Sequence, residues 1–170
     1  MDSSFRRAEV LLGRPVGQVG IVVHDLESAL ERYSDIWGLG PWRCWTYGPA
    51  TVPHLTYRDE PGRFVLRIAL TGESPQVELL QPVAGPSIFD EWVESRREGL
   101  HHLAVMVESL DAAIASVEAA GYPVLQSGRG YGLDGDGGFA YFDTQRALGL
   151  ILEAIEVPRR RREPDLIWPP

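Results

Sequence analysis

A chain of 170 residues with 44% hydrophobic and 24% charged side chains is long enough for one domain with a real core, and too evenly mixed for a disordered or membrane-spanning one. Its 16 cations face 24 acids, a net charge of −8 that repels a polyphosphate backbone and argues against a nucleic-acid partner. All 16 are arginine, which excludes lysine Schiff-base chemistry and a phosphate-loop lysine, and the lone Cys44 excludes an internal disulfide and a thiolate zinc cluster.

The opening MDSSFRRAEV lacks the apolar core of a secretory signal, and no stretch approaches about 18 uninterrupted apolar residues. A cytoplasmic protein without membrane association is expected. Residues 16–23 are short and β-branched and read as a strand. Asp25 caps a helix whose stripe of Leu26, Ala29, Leu30, Tyr33, Ile36 and Trp37 stops at Gly38. Strands follow at about 42–47, 64–70 and 76–80, with a long insert between the first two. Pro86-Ser-Ile-Phe-Asp90 resembles a capping box opening a linker helix, about 86–98, through Trp92 to Arg97.

After the linker the pattern starts again. Residues 18–30 can be laid on 102–114 at a constant offset of 84, and 64–83 on 139–158 at an offset of 75, so the first copy carries nine extra residues in its middle loop. In the second copy Ser109 caps a helix with the stripe Leu110, Ala113, Ile114 and Val117, stopped by Gly121 and Pro123, and the last strand falls within 150–157. The expected architecture is α+β: two tandem βαβββ modules, about 16–83 and 99–157, forming a curled, cup-like mixed sheet with helices outside, in one domain over 1–170. The tail, 158–170, holds too much charge and proline for a regular element. Ile167 and Trp168 either wrap a neighbouring subunit or belong to a solvated terminus.

Alternation along strands assigns the polar residues to faces. Gln18 shares a face with Gly20 and Val22, His102 with Ala104 and Met106, Glu78 with Leu80, and Glu153 with Ile151 and Ile155. Ionised carboxylates among apolar neighbours are costly unless paired, and here two occupy equivalent positions in the two copies. One divalent cation held by Gln18, Glu78, His102 and Glu153 would satisfy both, and an octahedral ion would keep two positions for water or substrate oxygens. His101, one residue from His102, is expected to point away from it.

Gly17-Gln-Val-Gly-Ile-Val-Val-His-Asp-Leu-Glu-Ser-Ala-Leu-Glu-Arg-Tyr33 and Gly99-Leu-His-His-Leu-Ala-Val-Met-Val-Glu-Ser-Leu110 resemble the vicinal oxygen chelate superfamily over roughly residues 16–157. That group includes glyoxalases, methylmalonyl-CoA epimerases, extradiol dioxygenases and bleomycin-resistance proteins. The resemblance implies paired βαβββ modules around a metal, with ligands at Gln18, Glu78, His102 and Glu153. That order is similar to some zinc glyoxalase I enzymes, whereas the strand-helix wording is closer to the epimerase-like branch. It further implies a homodimer and one divalent ion, Zn, Co, Ni, Mn or Mg, and assigns proton abstraction to Glu153 with Glu78 as partner acid/base. Extradiol oxygen chemistry needs two histidine ligands and a carboxylate, and only one histidine stands at a ligand position.

A cation with two open positions stabilises an enolate formed when an adjacent C–H loses its proton, which suits an isomerase, an epimerase or a glyoxalase-type lyase. The alternative is a binding protein that sequesters an aromatic, antibiotic-like molecule without catalysis. The insert from Trp42 onward is rich in aromatic groups, so Trp42, Trp45, Tyr47 and His54 are candidates to line the cup against a partly apolar small molecule, or simply to pack a strand. Arg67 either meets a substrate carboxylate or forms a surface or cross-strand ion pair. Gly130-Tyr-Gly-Leu-Asp-Gly135 matches a dinucleotide fingerprint but no helix follows it, and Asp134-Gly-Asp136 lacks the distal glutamate of a calcium loop, Gln145 standing there instead. Both read as a glycine-rich turn.

Overall fold

The computed structural model describes residues 6–96 and 98–169; Arg97, at the expected end of the linker helix, lies outside them. A 3-10 turn, Glu9–Leu11, precedes the first module, which runs β1 (Gln18–Val22), α1 (Leu26–Trp37), β2 (Trp42–Tyr47), β3 (His54–Tyr57), β4 (Glu60–Pro61), β5 (Val65–Thr71) and β6 (Gln76–Ala84). Helix α2 (Ile88–Arg96) links it to β7 (Gly99–Val107), α3 (Leu110–Ala119), β8 (Val124–Arg129), β9 (Gly138–Phe142), α4 (Gln145–Leu148) and β10 (Ile151–Glu156), and β11 (Leu166–Trp168) ends the chain.

Local chemistry sets the helices. Asp25 stays extended and its Oδ1 accepts the Ser28 N–H at 2.8 Å, while Gly38 ends α1 in the left-handed region at φ 72°, where a side chain would be strained. Ser109 repeats the cap on α3, its Oγ accepting the Ala112 N–H at 3.2 Å. Such a cap contributes about 1 kcal/mol. At the linker Ser87 Oγ and the Asp90 carboxylate sit 2.5 Å apart at the start of α2.

The eleven strands of the described residues join one sheet in the order β11-β2-β5-β6-β1-β7-β10-β9-β8-β3-β4. Its centre is a mirrored pair, β2-β5-β6-β1 against β7-β10-β9-β8, so the two copies meet along the antiparallel β1–β7 contact and each places its last strand parallel to its first. Alternation divides each strand between two environments. On the convex side α1 covers Trp42, Cys44, Ala69 and Leu79, and α3 covers Val105, Ala140, Phe142 and Ala154. The concave side gathers Trp45, Tyr47, Leu66, Ile68, Leu80, Phe139, Tyr141 and Ile155 from both modules, with Ile88 and Phe89 of α2 turned into it. Full burial of each such aliphatic or aromatic side chain contributes about 1.5–3 kcal/mol.

Two elements differ from expectation. The nine-residue surplus of the first module crosses to the second, where β3 pairs with β8. The tail stays largely exposed but is not free of regular structure: β11 pairs with the edge strand β2, Leu166 opposite Cys44 and Trp168 opposite Trp42. An open strand edge accepts main-chain partners whatever their side-chain charge, and this one is occupied from within the chain. Among the described residues no helix is long and apolar enough to cross a membrane.

Candidate metal centre

Strand register brings the four sequence-predicted ligands to the middle of the concave face. Gly20 on β1 lies opposite Glu78 on β6 and opposite His102 on β7; Ala104 on β7 lies opposite Gln18 on β1 and opposite Glu153 on β10. Gly20 and Ala104 thus form the floor of a square, with one functional side chain beside each edge. The floor must be small. A Cβ added at Gly20 would stand 1.9 Å from His102 Cε1 and 2.0 Å from its Nε2, so glycine is what admits the imidazole. Offset 84 pairs Gly20 with Ala104 as it pairs Gln18 with His102, so this floor was available to sequence reasoning and was missed.

Glu78 Oε2 and Glu153 Oε2 each lie 3.2 Å from His102 Nε2, with the three side chains 7%, 3% and 0% exposed. Among the described residues none of those three atoms has an aligned hydrogen-bond partner. Gln18 is buried and lines the same cavity as the two glutamates. By spacing alone, no group of three or more His, Cys, Asp or Glu side chains among the described residues is a preformed cage. The fit rests instead on three buried atoms left without aligned hydrogen bonds and on the chemistry of the set: two carboxylates, an imidazole and an amide suit a divalent cation.

Charge inside the cluster is strongly coupled. Burial opposes a charged His102, but Glu153 and Glu78 outweigh it and lift the imidazole to about 9. Burial pushes Glu153 up, against the pull of His102. Tyr141, opposite Glu153 on β9, is held well above the usual phenol range by burial and by both carboxylates, so it remains a donor within hydrogen-bonding reach of Glu153.

His101 does not point away from His102. The β1–β7 register slips between Gly20 and Ile21, which face His102 and Leu100, leaving His101 as the extra residue of a β-bulge. Both rings are fully buried, with Nδ1 to Nδ1 at 3.0 Å, and Phe89 packs on His101 with ring centres 4.9 Å apart. Burial, then His102, depress His101 to about 2, so it stays neutral and its Nδ1 can accept a proton-bearing Nδ1 of His102. With Nδ1 held by His101, Nε2 of His102 is the nitrogen that faces the carboxylates.

The substrate candidates separate by parity. Tyr47 lines the cavity, its ring 5.6 Å from Tyr131. Trp45 faces the same side, with Nε1 donating to the Arg162 carbonyl at 2.9 Å. Trp42 is three residues from Trp45 and so falls on the opposite face, under α1, where Nε1 donates to Ser34 Oγ and Leu39 O at 3.1 Å. Arg67 likewise turns to the helix side and pairs with Glu27. His54 is exposed on β3, opposite Arg129 at the outer side of the second module. These three do not reach the cup. The glycine-rich turn sends Asp134 and Asp136 to Arg160 and Arg159 of the tail. Tyr131, Tyr141 and Arg161, none of them foreseen, complete the cavity, which has about 40 Å³ of free space, room for two or three waters.

Residues 17–142 match the family described as the glyoxalase/bleomycin resistance protein/dioxygenase superfamily. An ethylmalonyl-CoA/methylmalonyl-CoA epimerase of Cereibacter sphaeroides is 31% identical over 119 residues, 69% of this chain and 78% of that protein. Methylmalonyl-CoA epimerase from Mycobacterium tuberculosis superposes with a TM-score of 0.62 at 22% identity, covering 93% of this chain and 92% of that one. A variant of the Streptomyces coelicolor methylmalonyl-CoA epimerase in complex with 2-nitronate-propionyl-CoA gives 0.63 at 21% identity, covering 84% and 96%.

Proposed function

We propose, from the premise that the chain belongs to the glyoxalase/bleomycin resistance protein/dioxygenase superfamily, that it is a metal-dependent enzyme moving a proton beside a carbonyl oxygen of a small substrate. The observation that carries this reading is the meeting of Glu78, His102 and Glu153, one carboxylate from each module, through three buried atoms without hydrogen-bond partners. Gln18, Glu78, His102 and Glu153 would hold the ion. Bound there, a divalent cation supplies Lewis acidity that stabilises negative charge on a substrate oxygen.

The chain's own groups do the rest. Glu153 takes the proton from the carbon α to that carbonyl, and Glu78, its counterpart across the pseudo-twofold, returns one from the other side. Two bases related in this way favour epimerisation or isomerisation over a lyase, in keeping with the named epimerase relative. Tyr141 orients Glu153, and the apolar wall of Leu66, Ile68, Leu80 and Ile155 limits water. The sequestration alternative fares worse. A pocket that only sequesters an aromatic molecule has no need of two buried carboxylates gathered on one imidazole.

The test is solvent-deuterium incorporation into a panel of 2-oxo acids, hemithioacetals and acyl-CoA esters, with elemental analysis of the purified protein. About one divalent ion per chain and metal-dependent exchange, abolished in Glu153→Gln, are expected. Exchange that persists in Glu153→Gln removes that residue from the mechanism, and protein that never retains a divalent ion overturns the reading.

A further inference from the structure

The segment from Pro158 to Asp165 leaves the second module after β10 and reaches the far edge of the first, where β11 joins β2. Both ends are tied down. Arg159 and Arg160 pair with Asp136 and Asp134 in the β8–β9 turn, and the Arg160 carbonyl accepts the Leu133 N–H at 2.9 Å. On the other side Trp45 Nε1 holds the Arg162 carbonyl, Asp165 Oδ2 accepts the Thr46 N–H at 2.7 Å, and Arg162 stands 3.8 Å from Asp165.

Arg161 is different. Its three arginine neighbours in the run each have an acidic partner, whereas among the described residues no carboxylate pairs with Arg161. Its guanidinium carbon lies 5.4 Å from the Trp45 ring centre and 5.8 Å from that of Tyr131, and among the described residues it is the one arginine on the wall of the cavity shared by Gln18, Glu78 and Glu153. Two stacked aromatic rings hold the fork in place without neutralising it.

We propose that this strap delivers Arg161 to the active site as an anion-binding residue, and that the substrate carries a carboxylate in addition to the oxygens taken by the cation. The inference rests on the cup being the metal site proposed above. Two glutamates cancel the charge of a divalent ion, so Arg161 leaves the cup with one surplus positive charge, matched by one anionic group. A planar guanidinium beside an apolar wall binds a carboxylate through two parallel hydrogen bonds.

Calorimetric titration of the metal-loaded protein with malonate, acetate and inorganic phosphate tests the assignment. Malonate is expected to bind about tenfold or more tightly than acetate. Arg161→Gln removes that advantage with the metal content unchanged, and Arg161→Lys restores part of it, since the charge returns without the fork. A malonate advantage that survives in Arg161→Gln overturns the proposal, as does phosphate binding more tightly than malonate. Trp45 gives a second readout: malonate changes the tryptophan fluorescence of metal-stripped wild type but not of metal-stripped Arg161→Gln. If the purified protein never retains a divalent ion and the fluorescence signal still depends on Arg161, the metal reading fails alone. If metal is bound and neither signal depends on Arg161, this proposal fails alone.

Discussion

The two modules share one chain path and differ where they meet. The first contributes Gln18 and Glu78 and has glycine on the floor; the second contributes His102 and Glu153 and has alanine there. A flexible amide tolerates a methyl group opposite it, as Gln18 tolerates Ala104. A rigid ring does not, and His102 lies where a side chain at position 20 would be. The second module also carries a bulge that turns His101 beside His102, while its counterpart at offset 84 is Gly17, whose added Cβ would stand 3.0 Å from Met106 Cγ. Duplication supplied two equal half-sites, and packing across the seam made them unequal.

Removing the cation should break the comparison most completely, because the proposed ion joins the halves. Chelation is expected to abolish deuterium exchange and lower the melting temperature; an ion at 100 times its Kd contributes about 2.7 kcal/mol. Swapping the floor residues comes next. Gly20→Ala should displace the imidazole, costing about 1–3 kcal/mol by overpacking together with most metal affinity. Ala104→Gly should cost only about 0.5–1 kcal/mol in calorimetry and retain the metal. Equal effects of the two would refute the asymmetry.

A sharper test concerns the bulge. His101→Phe keeps the ring and removes the acceptor for His102 Nδ1, so metal affinity should fall about 10–100-fold, with His101→Gln recovering part of it. Metal titration that does not distinguish the two variants would leave His101 a packing residue. The smallest effect belongs to Arg67→Gln on the helix face. Both partners of its ion pair are substantially exposed, so stability should change by no more than about 1 kcal/mol and exchange should be unaffected.

Much of the site was legible because a strand has period two and the chain repeats. Those two regularities placed Gln18 with His102 and Glu78 with Glu153 before any contact was known. The same parity, had it been applied to Trp42 and Arg67, would have separated them from the cup, since Trp42 cannot share a face with Trp45, and Arg67 alternates with Leu66 and Ile68. His101 was misread by the same rule, because a bulge suspends alternation for one residue and depends on the partner strand. Tyr141 became visible only through the β9–β10 register that sets it against Glu153.

Alone, the sequence determined the duplicated modules, the helix caps and stripes, and the residue types able to bind a cation, because each depends on neighbours within a few residues or on a constant offset. Tertiary structure decided that β3 would cross to β8, that the tail would take the β2 edge, and that Arg161 would thereby stand over the cup. Main-chain pairing at a sheet edge is nearly indifferent to side-chain identity, so which distant segment fills an edge is settled by the geometry of the whole fold and leaves little local trace.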